Sequence, residues 1–266
     1  MRIIKQLALA AAVVLLAACK TPTNIAYFQD MEHMKEFQLQ QYEGIKLKPF
    51  DKLLIVVKCK NAEITNMLNL GLTNQIIGTS ENATLNQNNG VSGYTIDQDG
   101  NIDFPLLGKL HIAGLTRSEV EQKIKHDIEA AELAKDVVVT ADYMNMSYFV
   151  LGEVRSPGRK NITHDRVTFT EALAQSGDLS LYGIRDSIYV IRQNGDKKIT
   201  YRMNMLNAQE LIQSPAYYIQ PNDVIYVDAN NTRKRQSNAN GNQFQSASLW
   251  MSMASVLTTL AVLIFK

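Results

Sequence analysis

Apolar and polar positions along this chain change period several times, and each change marks an element. From Leu53 to Val57 the run is continuously apolar and rich in β-branched residues, which predicts a buried strand. Tyr94-Thr95-Ile96 and Ile102-Asp103-Phe104 alternate on either side of Asp99-Gly100-Asn101, the pattern of a β-hairpin. Thr116-x-x-Glu119 then has the reciprocal capping pattern of a helix start, and Val120, Ile124 and Ile128 recur at every fourth position behind it. Val137 to Ala141 returns to strand and closes a first unit.

A second unit begins at Ser147. Tyr148 to Leu151 reads as a strand, and Gly152 to Gly158 as a turn-rich connection. Thr168-x-x-Glu171 caps a short helix that stops at Ser176-Gly177. Strands from Ser187 to Arg192 and Lys198 to Arg202 flank Asn194-Gly195-Asp196, and a last strand, Val224 to Val227, comes after Pro221-Asn222-Asp223. Strands around one embedded helix in a span of this size predict a small α+β domain of the β-grasp kind. Before the first unit, residues 20 to 48 are polar and read as a tether with a short helix around Glu32 to Gln40. The insert Asn61 to Gly93 is rich in Asn, Gln and Thr, with Ala62 to Leu70 helical and Ser80 to Gly90 a loop. Asn230 to Gln245 is a polar linker carrying Arg233-Lys234-Arg235.

The two ends carry separate signals. Arg2 to Lys5 is basic, Leu7 to Leu16 is apolar, and the segment finishes Leu16-Ala17-Ala18-Cys19, the form of a signal peptide whose cleavage leaves a cysteine to be acylated. Acyl chains on Cys19 contribute about 0.8 kcal/mol per buried methylene and hold the mature chain to a membrane. With Lys20 and no aspartate after the cysteine, the outer membrane is the expected destination. At the other end, Ser246 to Phe265 carries no charge and is closed by Lys266. At about 1.5 Å per residue a helix of this length matches a bilayer core of roughly 30 Å. Ser248, Ser252, Ser255 and Thr259 fall on one stripe of it, with Trp250, Met253, Leu257, Leu260 and Ile264 opposite. Two readings of the stripe compete: close helix–helix contact in a membrane, or a surface facing water inside a ring of helices. Both imply self-association.

Composition narrows the chemistry. Net charge is +1 over 266 residues with acids and bases interspersed, so no nucleic-acid partner is expected. Beside Cys19 the other cysteine is Cys59, read as a strand residue, so no intramolecular disulfide is expected in the mature chain. His-Glu-x-x-His, Gly-x-Ser-x-Gly, P-loop and dinucleotide patterns are absent, and His33, His111, His126 and His164 are scattered. Asp97, Asp99 and Asp103 lack the glycine and distal glutamate of a calcium loop and read as turn residues. No catalytic residue, metal site or cofactor is expected.

Several segments resemble a known family. Pro49-Phe50-Asp51-Lys52-Leu53-Leu54-Ile55, Asp99 to Gly108 and Ile112-Ala113-Gly114-Leu115-Thr116 are similar to the polysaccharide biosynthesis/export domain of outer-membrane capsule and exopolysaccharide exporters. Gly152-Glu153-Val154-x-x-Pro157-Gly158, Glu171-Ala172-Leu173-Ala174-x-x-Gly177, Ile191-Arg192 and Asn222 to Val227 are similar to its companion, the soluble-ligand-binding β-grasp (SLBB) domain. The family usually has Gly-Asp where this chain has Phe50-Asp51. The expected organisation is a cleaved signal peptide over 1–18, a lipid-anchored tether over 19–48, and an export domain over 49–146. One SLBB β-grasp domain over 147–228, a basic linker over 229–245 and a transmembrane helix over 246–266 complete it.

The resemblance implies a homo-oligomeric ring in the outer membrane that passes capsular or exopolysaccharide to the cell surface, served by an inner-membrane co-polymerase or kinase. In it Ser248, Ser252, Ser255 and Thr259 would face the lumen, Arg233, Lys234 and Arg235 would sit at the periplasmic rim, and the C-terminus would reach the cell surface. Eight helices of about 10 Å diameter, the number usual in the family, would enclose a hole of about 15 Å. The rival is a periplasmic sugar-binding or scaffolding lipoprotein that forms no pore; an envelope-processing enzyme ranks last.

Overall fold

The computed structural model describes residues 24–32, 36–69, 93–238 and 241–264. Cys19, His33, Lys266 and most of the insert, including the expected loop from Ser80 to Gly90, lie outside the described residues.

The first unit is built on β1 (Lys52–Lys58), whose buried side chains alternate as a two-sided strand requires: Leu53, Ile55 and Val57 are fully buried. It is the centre of an antiparallel three-stranded sheet, between β2 (Tyr94–Thr95) and β5 (Val138–Tyr143). Helix α1 (Ala62–Leu68), capped by Asn61, comes directly after β1. Cys59 lies just past the strand, its thiol directed at Asn61 O and Thr65 Oγ1, both at 3.2 Å. Helix α2 (Arg117–Ala130) packs on β5, and the expected capping box is present, with Thr116 N–H donating to Glu119 Oε2 at 2.7 Å. Val120, Ile124 and Ile128 are its buried face.

The hairpin expected between Tyr94 and Phe104 does not form. Its turn is there, held by Asp97 N–H to Asn101 O at 2.8 Å and Asn101 N–H to Asp97 Oδ1 at 2.7 Å. Beyond that turn the strands part. β2 pairs with β1, while β3 (Asn101–Phe104) folds back on β4 (Gly108–His111), placing Asp103 opposite Lys109. The alternation found the strands, and competition for a buried edge on β1 decided the partner.

The second unit is a five-stranded sheet in the order β10-β9-β12-β6-β7, formed by β6 (Ser147–Gly152), β7 (Gly158–Asn161), β9 (Gly183–Asn194), β10 (Lys197–Met203) and β12 (Val224–Ala229). β12 and β6 run parallel and the other neighbours antiparallel. Tyr148, Val150, Ile188, Val190, Ile225 and Val227 fill the covered face, with Phe169 and Leu173 of α3 (Phe169–Gln175) in the same core. The α3 capping box between Thr168 and Glu171 forms as expected. A two-stranded ribbon, β8 (Val167–Thr168) with β11 (Tyr218–Ile219), and the one-turn helix α4 (Ala208–Ile212) complete the unit. At Gly152, φ is +90° and an added Cβ would lie 2.0 Å from Val227 O, so only glycine fits where β6 leaves β12.

Within this unit Asp223 is fully buried, and Arg192 of β9 closes on it with Nε at 3.0 Å from Oδ1 and Nη2 at 2.7 Å from Oδ2. The same guanidinium donates to Tyr218 O at 2.8 Å and Pro215 O at 3.2 Å, and Asp223 Oδ2 also accepts from Gln220 N–H at 2.8 Å. The two units meet at a second guanidinium. Arg117 of α2 donates through Nε and Nη2 to the two oxygens of Asp165, at 2.8 and 2.7 Å, and Tyr143 hydroxyl adds a third bond at 3.0 Å.

The short helix expected around Glu32 to Gln40 is absent from the described part of that segment, residues 36–40. The chain runs as an extended strap along the β-grasp unit instead. Phe28 and Gln29 N–H donate to Met205 O and Leu206 O at 2.9 and 2.7 Å, and the Asp30 carboxylate accepts Ala208 N–H at 2.6 Å at the start of α4. Further on, Leu47 exchanges backbone bonds with the 114–115 segment. A nine-residue helix is marginal alone, and these flanking bonds hold the chain extended.

Replacing Arg192 by methionine strands a fully buried carboxylate, so we expect a loss of about 3–5 kcal/mol in unfolding free energy, read from urea titrations. The Arg117 hydrogen bonds hold the Asp165 carboxyl below the usual carboxylate range. The stability this lends is therefore present above the unfolded-state carboxyl pKa and lost as pH falls through the folded-state value. Because both groups are partly solvated, Asp165→Asn should cost about 1 kcal/mol at pH 7 and nothing measurable near pH 2, by thermal melts at both pH values.

Candidate functional site

The basic run Arg233-Lys234-Arg235, expected in a polar linker, lies on a helix. Instead of a plain linker, Asn230 caps α5 (Asn231–Gln236), and a single 3-10 turn (Gln243–Gln245) precedes the C-terminal helix. Arg233 Nε is 3.1 Å from Glu153 Oε1, and its guanidinium lies 5.6 Å from the Tyr182 ring centroid. Lys234 Nζ is 2.6 Å from Asp228 Oδ2. Arg235 turns the other way, to Asn242 Oδ1 at 3.1 Å and Gln245 Oε1 at 2.9 Å. All three charges are about half solvated or spent on the fold: two fasten α5 to the β-grasp unit, and the third fastens the 3-10 turn to α5.

Helix α6 (Ala247–Ile264) leaves from that knot. Trp250 Nε1–H donates to Phe244 O at 2.8 Å and fixes its first turn. Ser248, Ser252, Ser255 and Thr259 are exposed, and so are Trp250, Met253, Leu257 and Leu260 on the opposite face. Nothing in the described chain covers either side. Two of the four hydroxyls turn back on their own helix, Ser252 Oγ to Ser248 O at 2.6 Å and Thr259 Oγ1 to Ser255 O at 2.8 Å, while Ser248 Oγ donates to Ser246 Oγ at 3.3 Å. A back-bonded hydroxyl has spent its proton and keeps lone pairs for an outside donor. Thr258, one residue from the stripe and not anticipated, donates to Ala254 O in the same way. The helix has 18 residues, about 27 Å, against the twenty expected from Ser246 to Phe265, and among the described residues no helix is long and apolar enough to cross a membrane.

A third feature was not legible in the sequence. The strap residues 39–46 form one wall of a groove whose other wall is the β-grasp unit. Tyr42 stands at its middle, edge-on to Tyr218 at 5.0 Å between ring centroids. Burial pushes the Tyr42 phenol up to about 12. The histidines are not gathered: His126 and His164 are exposed on different units, and His111 Nδ1 lies 3.1 Å from Asn101 Oδ1. Among the described residues no group of His, Cys, Asp and Glu could hold a metal ion.

The chain is thus two α+β units joined by a guanidinium, with a polar groove along the second and an uncovered apolar helix after it, and the known sequences identify its class. Residues 39–142 match the polysaccharide biosynthesis/export protein family, and residues 146–227 match the SLBB domain. The chain belongs to the polysaccharide export family. It is 31% identical over 141 residues to the EPS I polysaccharide export outer membrane protein EpsA of Ralstonia nicotianae, and 32% identical over 142 residues to the protein of the same name from Ralstonia solanacearum. Each match takes in 52% of this chain and 36% of the relative, so the chain spans about a third of the length of these relatives.

The Arg235 knot sets the direction in which α6 leaves. Arg235→Ala should leave the unfolding temperature of the β-grasp unit unchanged while amide hydrogen exchange at Gln243 to Ser246 speeds at least tenfold, checked by mass spectrometry.

Proposed function

We propose that this chain is a lipoprotein subunit of an oligomeric ring that exports capsular or extracellular polysaccharide across the outer membrane, and that it is not an enzyme. The observation that carries the reading is α6. Its apolar face, from Trp250 to Leu260, is exposed in the single chain, and water is a poor solvent for it. Side-by-side copies in a membrane give each face a partner: lipid outside, and a shared lumen for Ser248, Ser252, Ser255 and Thr259. Hydroxyls with free lone pairs offer sugars exchangeable hydrogen bonds without a deep site, which suits passage. Family membership and the relatives' names support the polysaccharide and the outer membrane.

In this reading Cys19 carries the lipid, Phe265 completes the span, and Lys266 emerges at the cell surface. An inner-membrane co-polymerase or kinase delivers the chain to the ring, and no nucleic acid takes part. Arg233 and Lys234, still about half exposed, lie where α5 meets the bilayer face and add attraction to anionic groups. The rival is a tethered periplasmic sugar-binding or scaffolding lipoprotein that forms no pore.

The two are separated on intact cells. A tag after Lys266 should be stained without permeabilisation. Single cysteines at Ser248, Ser252, Ser255 or Thr259 should react with a hydrophilic thiol reagent while those at Leu257 and Leu260 stay shielded. Ser255→Phe should cut export severalfold with the ring intact by electron microscopy, and Cys19→Ala should abolish palmitate labelling. Uniform protection of all six helix positions together with an unstained tag would sink the ring and leave the scaffold.

A further inference from the structure

The strap and α5 attach to the β-grasp unit at the same end of its sheet. β12 stops at Ala229, opposite Gly183 where β9 starts, and α5 follows directly. The strap is pinned at that end too. Tyr27 hydroxyl donates to Asp178 Oδ1 at 2.7 Å, and its ring centroid lies 6.0 Å from the guanidinium of Arg185, near the start of β9. Between these two attachments stands the turn Ser180–Gly183, closed by Gly183 N–H on Ser180 O at 3.1 Å.

Glu153, just past the end of β6, fastens this turn and α5 together. Its carbonyl accepts Ser180 N–H at 2.8 Å, its Oε2 accepts the Ser180 hydroxyl at 2.6 Å, and its Oε1 accepts Arg233 Nε–H at 3.1 Å. Tyr182 N–H donates to Ser180 Oγ at 3.1 Å, and Tyr182 O accepts Asn230 N–H at 2.8 Å. All of these bonds hold a backbone whose apex, Leu181, is 73% exposed, more than any other large apolar side chain of the two units among the described residues.

A single exposed leucine is ordinary. This one has company at both attachments: Ile25, two residues before Tyr27, is exposed, and so is Phe244 on the 3-10 turn at the root of α6. Charges at this end are largely engaged with each other, Arg233 with Glu153 and Lys234 with Asp228, so apolar contact and not charge is what the surface offers. Apolar tips on a rigid loop, beside a tyrosine, suit the boundary between lipid headgroups and acyl chains. Chain length agrees with this. Tyr27 stands eight positions after Cys19, so at about 3.5 Å per residue a lipid on that cysteine keeps the membrane surface within about 28 Å of it.

We propose that the Ser180–Gly183 turn is a third membrane contact, with Leu181 set into the periplasmic leaflet of the outer membrane and Ile25 and Phe244 beside it. The proposal rests on the reading of Cys19 and α6 as membrane attachments, which supply the bilayer. A single lipid and a single helix leave the body free to lean. A rigid apolar loop in the interface fixes its tilt.

The test uses the full acylated chain, extracted in detergent and reconstituted into zwitterionic phospholipid vesicles, in a Cys59→Ser background. An environment-sensitive fluorophore is placed on Leu181→Cys and, as a control on the first unit, on the exposed Leu106→Cys. The probe at 181 should shift to the blue on reconstitution and be quenched severalfold by lipid carrying a nitroxide high on its acyl chain, while the probe at 106 stays as in water. Leu181→Asp should melt at the wild-type temperature, yet a probe on Ile25→Cys in that chain should lose most of its quenching. A water-exposed probe at 181, equal quenching at 181 and 106, or quenching at 25 that ignores Leu181→Asp overturns the contact. So does a probe at 181 that is shielded but not quenched by labelled lipid, since protein then covers it. Flotation and electron microscopy of the same samples separate the two readings. Rings that float with the vesicles while residue 181 stays in water spare the export reading, whereas protein that does not float removes the membrane attachments and this contact with them.

Discussion

The β-grasp unit, and with it the strap and the C-terminal helix attached to it, is referred to the buried pair of Arg192 and Asp223. Taking both charges out of water is costly, and that cost is met only because their donors and acceptors are nearly all used. Arg192 reaches Asp223, Tyr218 O and Pro215 O, and Asp223 holds the Gln220 amide as well. The pair therefore does more than join β9 to the start of β12. It fixes the loop that carries Tyr218 and Gln220, and these form the inner wall of the groove. The Asp223 carbonyl accepts Phe149 N–H, which sets the parallel register of β12 on β6. That register in turn brings Gly152 against Val227 and aims the exit of β12 toward α5.

Other parts of the chain hang on this frame with fewer bonds. The strap is pinned at Phe28 to Asp30 and again at Leu47, with the groove between. The C-terminal helix is aimed by one arginine, Arg235, whose partners are uncharged amides. The exposed positions of α6 contrast with the covered ones of the β-grasp core, where Tyr148 is fully buried with its hydroxyl 2.9 Å from Gln175 Oε1. The same chain satisfies Tyr148 and, among its described residues, leaves a whole apolar helix uncovered, a face for which water is a poor solvent.

Local rules made the helix starts at Thr116 and Thr168 legible, since a capping box is a statement about four neighbouring residues. The core face Val120, Ile124 and Ile128 was legible for the same reason, and so were the individual strands. Pairing was not, because β2 had a choice between Asn101's strand and the edge of β1, and periodicity carries no information about edges. The strap was misread because its conformation is set by partners about 180 residues away, at Met205 to Ala208. For the site, the hydroxyl stripe could be placed on one side of a helix from spacing alone, but the use of its protons within the helix could not. The basic run was visible as three charges; that Glu153 and Asp228 engage two of them depends on tertiary contact. The groove gave no signal in sequence, since its walls come from Tyr42 and Tyr218, far apart in the chain.

The joint between the units rests on few bonds as well. The chain passes from one to the other near residues 43–47 and again near 144–147, and both the strap and α6 attach to the β-grasp side. Arg117 of α2 adds a side-chain clamp on Asp165, a loop residue 48 positions away. Phe50, 68% exposed and held at φ +72° where a side chain is normally unwelcome, stands on the first unit just past the first of these crossings. A bulky ring kept in water on such a backbone is costly twice over, and any surface that covered it would recover the apolar part of that cost.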